Sequence, residues 1–142
     1  MSMECVVDLS FSAGWFQPAQ GHTAGARLLK LLSNHEAKAI CPALWSYEVL
    51  NLVAVATRRG TLSEAQADMA VELLNVLPVR LDEQGSDSVR RRIHRFAREF
   101  KLTAYDAAYL ELADRLQLPL LTRDGQLTAA AKERRLPLQL SP

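Results

Sequence analysis

Cys5-Val6-Val7-Asp8-Leu9-Ser10 decides how the rest of the chain is read. Three apolar residues in a row suit a strand buried on both faces, and residues 3–8 read as that strand. The run stops on an acid. Asp and Glu are almost never buried without a partner, and no Lys or Arg stands near Asp8 in sequence. In an open α/β sheet, ligands bind beyond the carboxyl ends of the strands. A strand ending on Asp8 therefore puts a carboxylate where a site belongs.

Working outward, short apolar runs alternate with helical patterns. Residues 10–16 read as a short helix stopped near Pro18, and residues 23–33 as a helix with Leu28, Leu29, Leu31 and Leu32 at helical spacing. Residues 37–41 form a second strand ended by Pro42. Residues 43–59 form a long helix with Gly60 just past its end, as a C-terminal glycine should be. Ser63, with Gln66 three residues on, makes a capping box for a helix running to about Asn75. Val79-Arg80-Leu81 is a third strand. Helices over 87–101 and 103–117 follow, then a strand over 118–122, a short helix over 125–134 and a last strand over 136–140. The expected fold is α/β: a central parallel sheet of about five short strands covered by helices on both faces. At 142 residues a single domain, 1–142, is expected.

Three further acids share the oddity of Asp8. Glu48 lies in the apolar helix over 43–59, on a face with Leu44, Asn51 and Val55 and opposite a stripe of Trp45, Val49, Leu52, Val53 and Ala56. Asp106 opens a helix within Ala-Tyr-Asp-Ala-Ala-Tyr. Asp124 follows the run Leu118-Pro119-Leu120-Leu121. Each has a purely structural alternative. Asp8 could cap the helix after it, and Glu48 could bond Asn51 in a buried pair. Thr103-x-x-Asp106 resembles a capping box, and Asp124-Gly125 is a turn signal. Together, carboxylates from separate elements suggest one acidic pocket, and an all-oxygen pocket suits Mg²⁺ or Mn²⁺.

The segment from Arg90 to Lys101 is the other unusual feature. Val89, Ile93, Phe96, Ala97 and Phe100 make an apolar stripe, and Arg90, Arg91, Arg92, Arg95 and Arg98 crowd the remainder. It reads as a solvated helix face or as a phosphate-tracking, RNA-binding surface. The net charge is only +1, so polyanion binding must come from such local clustering. Cys5 and Cys41 read as buried free thiols, and His22, His35 and His94 as scattered surface residues without zinc spacing. No secretory leader pattern or membrane span is evident, so a cytoplasmic protein with no membrane partner is expected. A dinucleotide binder would need Gly-x-Gly-x-x-Gly after the first strand, which is absent. An aspartyl-phosphate enzyme would need Asp-x-Asp there, where Ser10 takes the second place.

These motifs resemble the PIN-domain ribonucleases, and among them the VapC-type toxins of toxin–antitoxin pairs. Val6-Val7-Asp8-Leu9-Ser10 with Trp15-Phe16 is similar to the family's opening strand and helix. Pro42-Ala43-Leu44-Trp45 through Glu48-Val49-x-Asn51 is similar to its second motif. Leu102-Thr103-Ala104-Tyr105-Asp106-Ala107-Ala108-Tyr109 matches best, and Leu118-Pro119-Leu120-Leu121-Thr122-x-Asp124-x-x-Leu127 completes the set. The resemblance implies a PIN-like fold and a catalytic, metal-holding quartet of Asp8, Glu48, Asp106 and Asp124, with Asp8 and Asp106 as first choice for direct ligands. Ser10, Asn51 and Thr122 would support that site. It further implies Mg²⁺ or Mn²⁺ as cofactor, hydrolysis of RNA phosphodiester bonds, a cognate antitoxin protein as partner and a homodimer. A stand-alone RNA-processing nuclease and a catalytically silent interaction module are the alternatives.

Overall fold

The computed structural model describes residues 3–83 and 85–137. The order is β1 (Met3–Val7), α1 (Leu9–Ser12), two 3₁₀ turns (Ala13–Trp15 and Pro18–Gln20), α2 (Thr23–Ser33), β2 (Ala37–Pro42), α3 (Leu44–Arg58), α4 (Glu64–Val76), β3 (Val79–Asp82), α5 (Asp87–Phe100), α6 (Ala104–Leu116), β4 (Leu120–Leu121) and α7 (Gly125–Glu133). The strands form one parallel sheet in the order β3-β2-β1-β4. Successive side chains on a strand point to opposite faces, and Cys5, Val6 and Val7 are all fully buried. Both faces of β1 are therefore covered, as the uninterrupted apolar run implies.

Among the described residues the sheet has four strands, where about five were expected. The expected last strand falls at 136–140, and residues 138–140 lie outside the described residues. The strand expected over 118–122 pairs only at Leu120–Leu121. Pro119 has no N–H to give a ladder; its carbonyl still accepts from Val6 N–H at 2.9 Å. The first helix starts a residue earlier than expected, because Asp8 caps it, and tightens into a 3₁₀ turn ahead of Pro18.

Local chemistry places the remaining ends. Ser63 and Gln66 form the reciprocal capping box of α4. Gly60 sits just beyond α3 at φ +75°, a conformation that suits a residue without Cβ. His22 is no idle surface residue: its ring accepts from Gly25 N–H at the start of α2 and meets Phe11 edge to face. A Cβ on Gly14 would collide with the Cα of Gly21. That close approach folds the turn at Pro18–Gln20 back onto the turn at Ala13–Trp15. Cys5 and Cys41 are buried and free, and burial pushes the Cys5 thiol up to about 12. No helix among the described residues is long and apolar enough to cross a membrane.

Candidate active site

β1 and β4 are neighbours, with Val7 in register with Leu121. Their carboxyl ends therefore bring Asp8 and Thr122 side by side. Asp8 is only 4% exposed and carries several hydrogen bonds. Its Oδ1 accepts from Phe11 N–H at 3.0 Å and from the Ser10 hydroxyl at 2.7 Å, and its Oδ2 accepts from the Thr122 hydroxyl. Helix cap and candidate site residue are thus one and the same: capping uses Oδ1 and leaves Oδ2 facing Thr122. Ser10 and Thr122 also lock the two loops together. Ser10 Oγ accepts from Arg123 N–H at 2.9 Å, and Thr122 Oγ1 accepts from Asp124 N–H at 3.0 Å.

The other acids arrive from three helices. Asp124 caps α7 through Oδ1, accepting from Leu127 N–H at 2.9 Å. Asp106 stands in the first turn of α6, its N–H held by the Thr103 hydroxyl at 3.0 Å. Glu48 lies half-buried on α3 and accepts from the Tyr109 hydroxyl of α6. All four carboxylates line one cavity of about 340 Å³, together with Ser10, Gln20 and Tyr109. Asn51 is not part of that lining; it is exposed, so water can satisfy its amide and no buried pair with Glu48 forms.

The pocket is electrostatically uncomfortable. Burial raises the carboxyls of Asp8, Glu48 and Asp106 above their ordinary values, and mutual repulsion adds to this: Asp124 acts on Asp8, Asp106 on Glu48, and Asp124 and Asp8 on Asp106. Among the described residues none of the four forms an ion pair. Arg90, Arg92, Arg115 and Arg134 are committed elsewhere, to Asp87, Glu111, Asp82 and Asp114.

The chain is 35% identical over 127 residues to Ribonuclease VapC1 of Mycobacterium tuberculosis, in strain CDC 1551 / Oshkosh and equally in strain ATCC 25618 / H37Rv, spanning 89% of this chain and 90% of theirs. The chain belongs to the VapC family of PIN-domain ribonucleases. Its fold agrees: PAE2754 from Pyrobaculum aerophilum superposes with a TM-score of 0.66 at 25% identity, over 92% of this chain and 86% of that one. No protein-family model matches the chain.

A VapC-type site that took a metal would draw on these acids, and their chemistry fits a hard cation: oxygen donors only, crowded, without basic partners. Among the described residues, no group of three or more His, Cys, Asp or Glu side chains is already assembled to hold an ion. Capping and hydrogen bonding fix one oxygen each of Asp124 and Glu48 and both of Asp8.

The arginine-rich helix differs from its reading as one row of free cations. Arg92 reaches across to Glu111 at 3.1 Å, and Glu111 is 2% exposed within α6. Arg115 holds the same carboxylate and also Asp82 at the end of β3. Arg92 is therefore a structural cation, because releasing it would leave a buried charge with one partner fewer. Arg90 pairs with Asp87 on the surface. Arg95 lies over the Phe96 ring at 5.6 Å. Arg91, Arg95 and Arg98 remain exposed, and no residue of α5 lines the acidic pocket.

Sequence reasoning missed Tyr109 and Gln20 as pocket residues, and Glu111 as a buried acid. Tyr109 had a usable signal: it lies three residues after Asp106, on the same helix face. Gln20 had none, since its place depends on the contact between Gly14 and Gly21.

Proposed function

We propose that this chain is the toxin of a toxin–antitoxin pair, an endoribonuclease that hydrolyses RNA phosphodiester bonds with Mg²⁺ or Mn²⁺. The observation that carries the reading is the convergence of Asp8, Glu48, Asp106 and Asp124 on one cavity, where no ion pair among the described residues neutralises them. The printed name of the M. tuberculosis relatives, a ribonuclease, supports the substrate class. Bound there, a divalent ion would neutralise charge building on the phosphoryl oxygens and make water a better nucleophile. The residues supply the frame. Ser10 and Thr122 hold the Asp8 carboxylate in place, the α6 N-terminus presents Asp106, and Tyr109 restrains Glu48. Exposed Arg91, Arg95 and Arg98 would hold RNA backbone at a distance from the cut.

The partners in this reading are RNA, an antitoxin protein and a second copy of the chain. Exposed Tyr47 and Leu50 on α3, and Met69 and Val76 on α4, support a protein contact on that side of the fold. Expression in a bacterial host tests the toxin role. Growth should stop on induction of the wild type and continue on induction of Asp106→Asn at equal soluble levels. Normal growth with abundant soluble wild type would contradict the toxin role and favour an RNA-processing enzyme.

A further inference from the structure

Tyr109 lines the acidic cavity yet belongs to the core, and it is a pocket residue that carries no charge. Its side chain is 1% exposed, and its hydroxyl donates to Glu48 Oε1. The bond joins α6 to α3 across the cavity, between residues far apart in sequence. Among the described residues Glu48 has no other side-chain partner, so without the phenol its long side chain would be free to choose rotamers. A carboxylate oxygen has no proton to give, so the Tyr109 hydroxyl is the donor of this bond.

The helix geometry makes this a matched pair. Asp106 and Tyr109 are separated by three residues on α6 and therefore share a face. Asp106 presents its carboxylate to the cavity directly. Tyr109 reaches past it and takes one oxygen of the carboxylate opposite. Oε1 is occupied, and among the described residues Oε2 takes part in no hydrogen bond.

We propose that Tyr109 is a positioning residue for the acidic centre, holding Glu48 so that a single oxygen faces a bound divalent cation. This rests on the metal-dependent reading above. Partners that orient metal ligands typically change metal affinity or activity by about 10–100-fold when removed. Tyr109→Phe removes the hydroxyl and keeps the ring in the core.

The test is a double-mutant cycle read by calorimetric titration of Mg²⁺ into four metal-free proteins: wild type, Tyr109→Phe, Glu48→Gln and the double variant. Thermal melting in EDTA confirms that each is folded at the titration temperature. Tyr109→Phe should weaken Mg²⁺ binding by about 10-fold or more. In the Glu48→Gln background the same change should have no further effect, since there is no longer a charged oxygen to aim. Equal weakening in both backgrounds would mean the phenol acts through packing alone and would overturn the proposal. So would wild-type affinity in Tyr109→Phe. A wild type that binds no Mg²⁺ would overturn the metal-dependent reading itself, a result distinguishable from the other two.

Discussion

Asp8→Asn should fold like the wild type and cleave RNA about 10²- to 10³-fold more slowly. Charge stabilisation by a bound metal supplies several kcal/mol, and each 1.36 kcal/mol is tenfold in rate. Asn is the conservative probe because Asp8 also supports the fold. An Asn side-chain oxygen can still cap α1 by accepting from Phe11 N–H, and Asn ranks with Asp as a cap. The Thr122 hydroxyl, which donates to Oδ2, can turn and accept from the new amide. The one thing removed is negative charge at the carboxyl end of β1. Urea unfolding and single-turnover cleavage, run on the same preparations, separate the two roles. Cleavage by Asp8→Asn at the wild-type rate would remove Asp8 from the chemistry.

Asp106→Asn should reverse its stability ranking with metal. In EDTA the mutant should melt at or above the wild type, because burial and the nearby charges of Asp124 and Asp8 disfavour the ionised Asp106. The effect has a pH signature. Asp8, Glu48 and Asp106 all have folded values raised above the ordinary 3.8 for Asp and 4.5 for Glu. The folded protein therefore binds more protons than the unfolded chain between those ordinary values and the raised ones. Stability from these groups is lost as pH rises through the raised values. The advantage of Asp106→Asn in EDTA should thus be full above the raised values and shrink as pH falls through them toward the ordinary 3.8. Saturating Mg²⁺ should then lift the wild type by about 2.7 kcal/mol at a hundredfold excess over Kd, roughly 5–11 °C in Tm at this chain length, and the mutant by less. If Asp106 were only a helix-end acid, its loss would cost about 0.3–1 kcal/mol in EDTA, and metal would change neither protein.

The fold was legible wherever one residue type has one local use. Val6-Val7 running into Asp8 marked β1 and its end, Ser63 with Gln66 marked the start of α4, and Gly60 marked the end of α3. The candidate site was legible as a pocket because an acid in an apolar segment carries an unmet need, and Asp8, Glu48, Asp106 and Asp124 all line one cavity. The same signal misleads at Glu111, which is more deeply buried than Glu48 and yet lies outside the pocket. Arg115, one helical turn on, and Arg92, from the neighbouring helix, neutralise it. The first partner is visible in sequence at i,i+4; the second needs the packing of α5 on α6. Arg92 was read as a solvent-facing cation for the same reason. Asn51 was grouped with Glu48 by helical spacing, yet α3 turns it to water. Helical spacing puts Tyr109 on the face of Asp106, but its bond to Glu48 depends on α3 and α6 meeting across the cavity, which no local pattern encodes.

A metal centre in the acidic cavity makes cleavage by the unaltered protein depend on metal. The measurement is the initial rate of RNA cleavage by purified wild type, stripped with EDTA and then returned to increasing free Mg²⁺. A rate at background in EDTA that rises and saturates with Mg²⁺ is the predicted result. Cleavage in EDTA as fast as in saturating Mg²⁺ would contradict a metal centre built from Asp8, Glu48, Asp106 and Asp124.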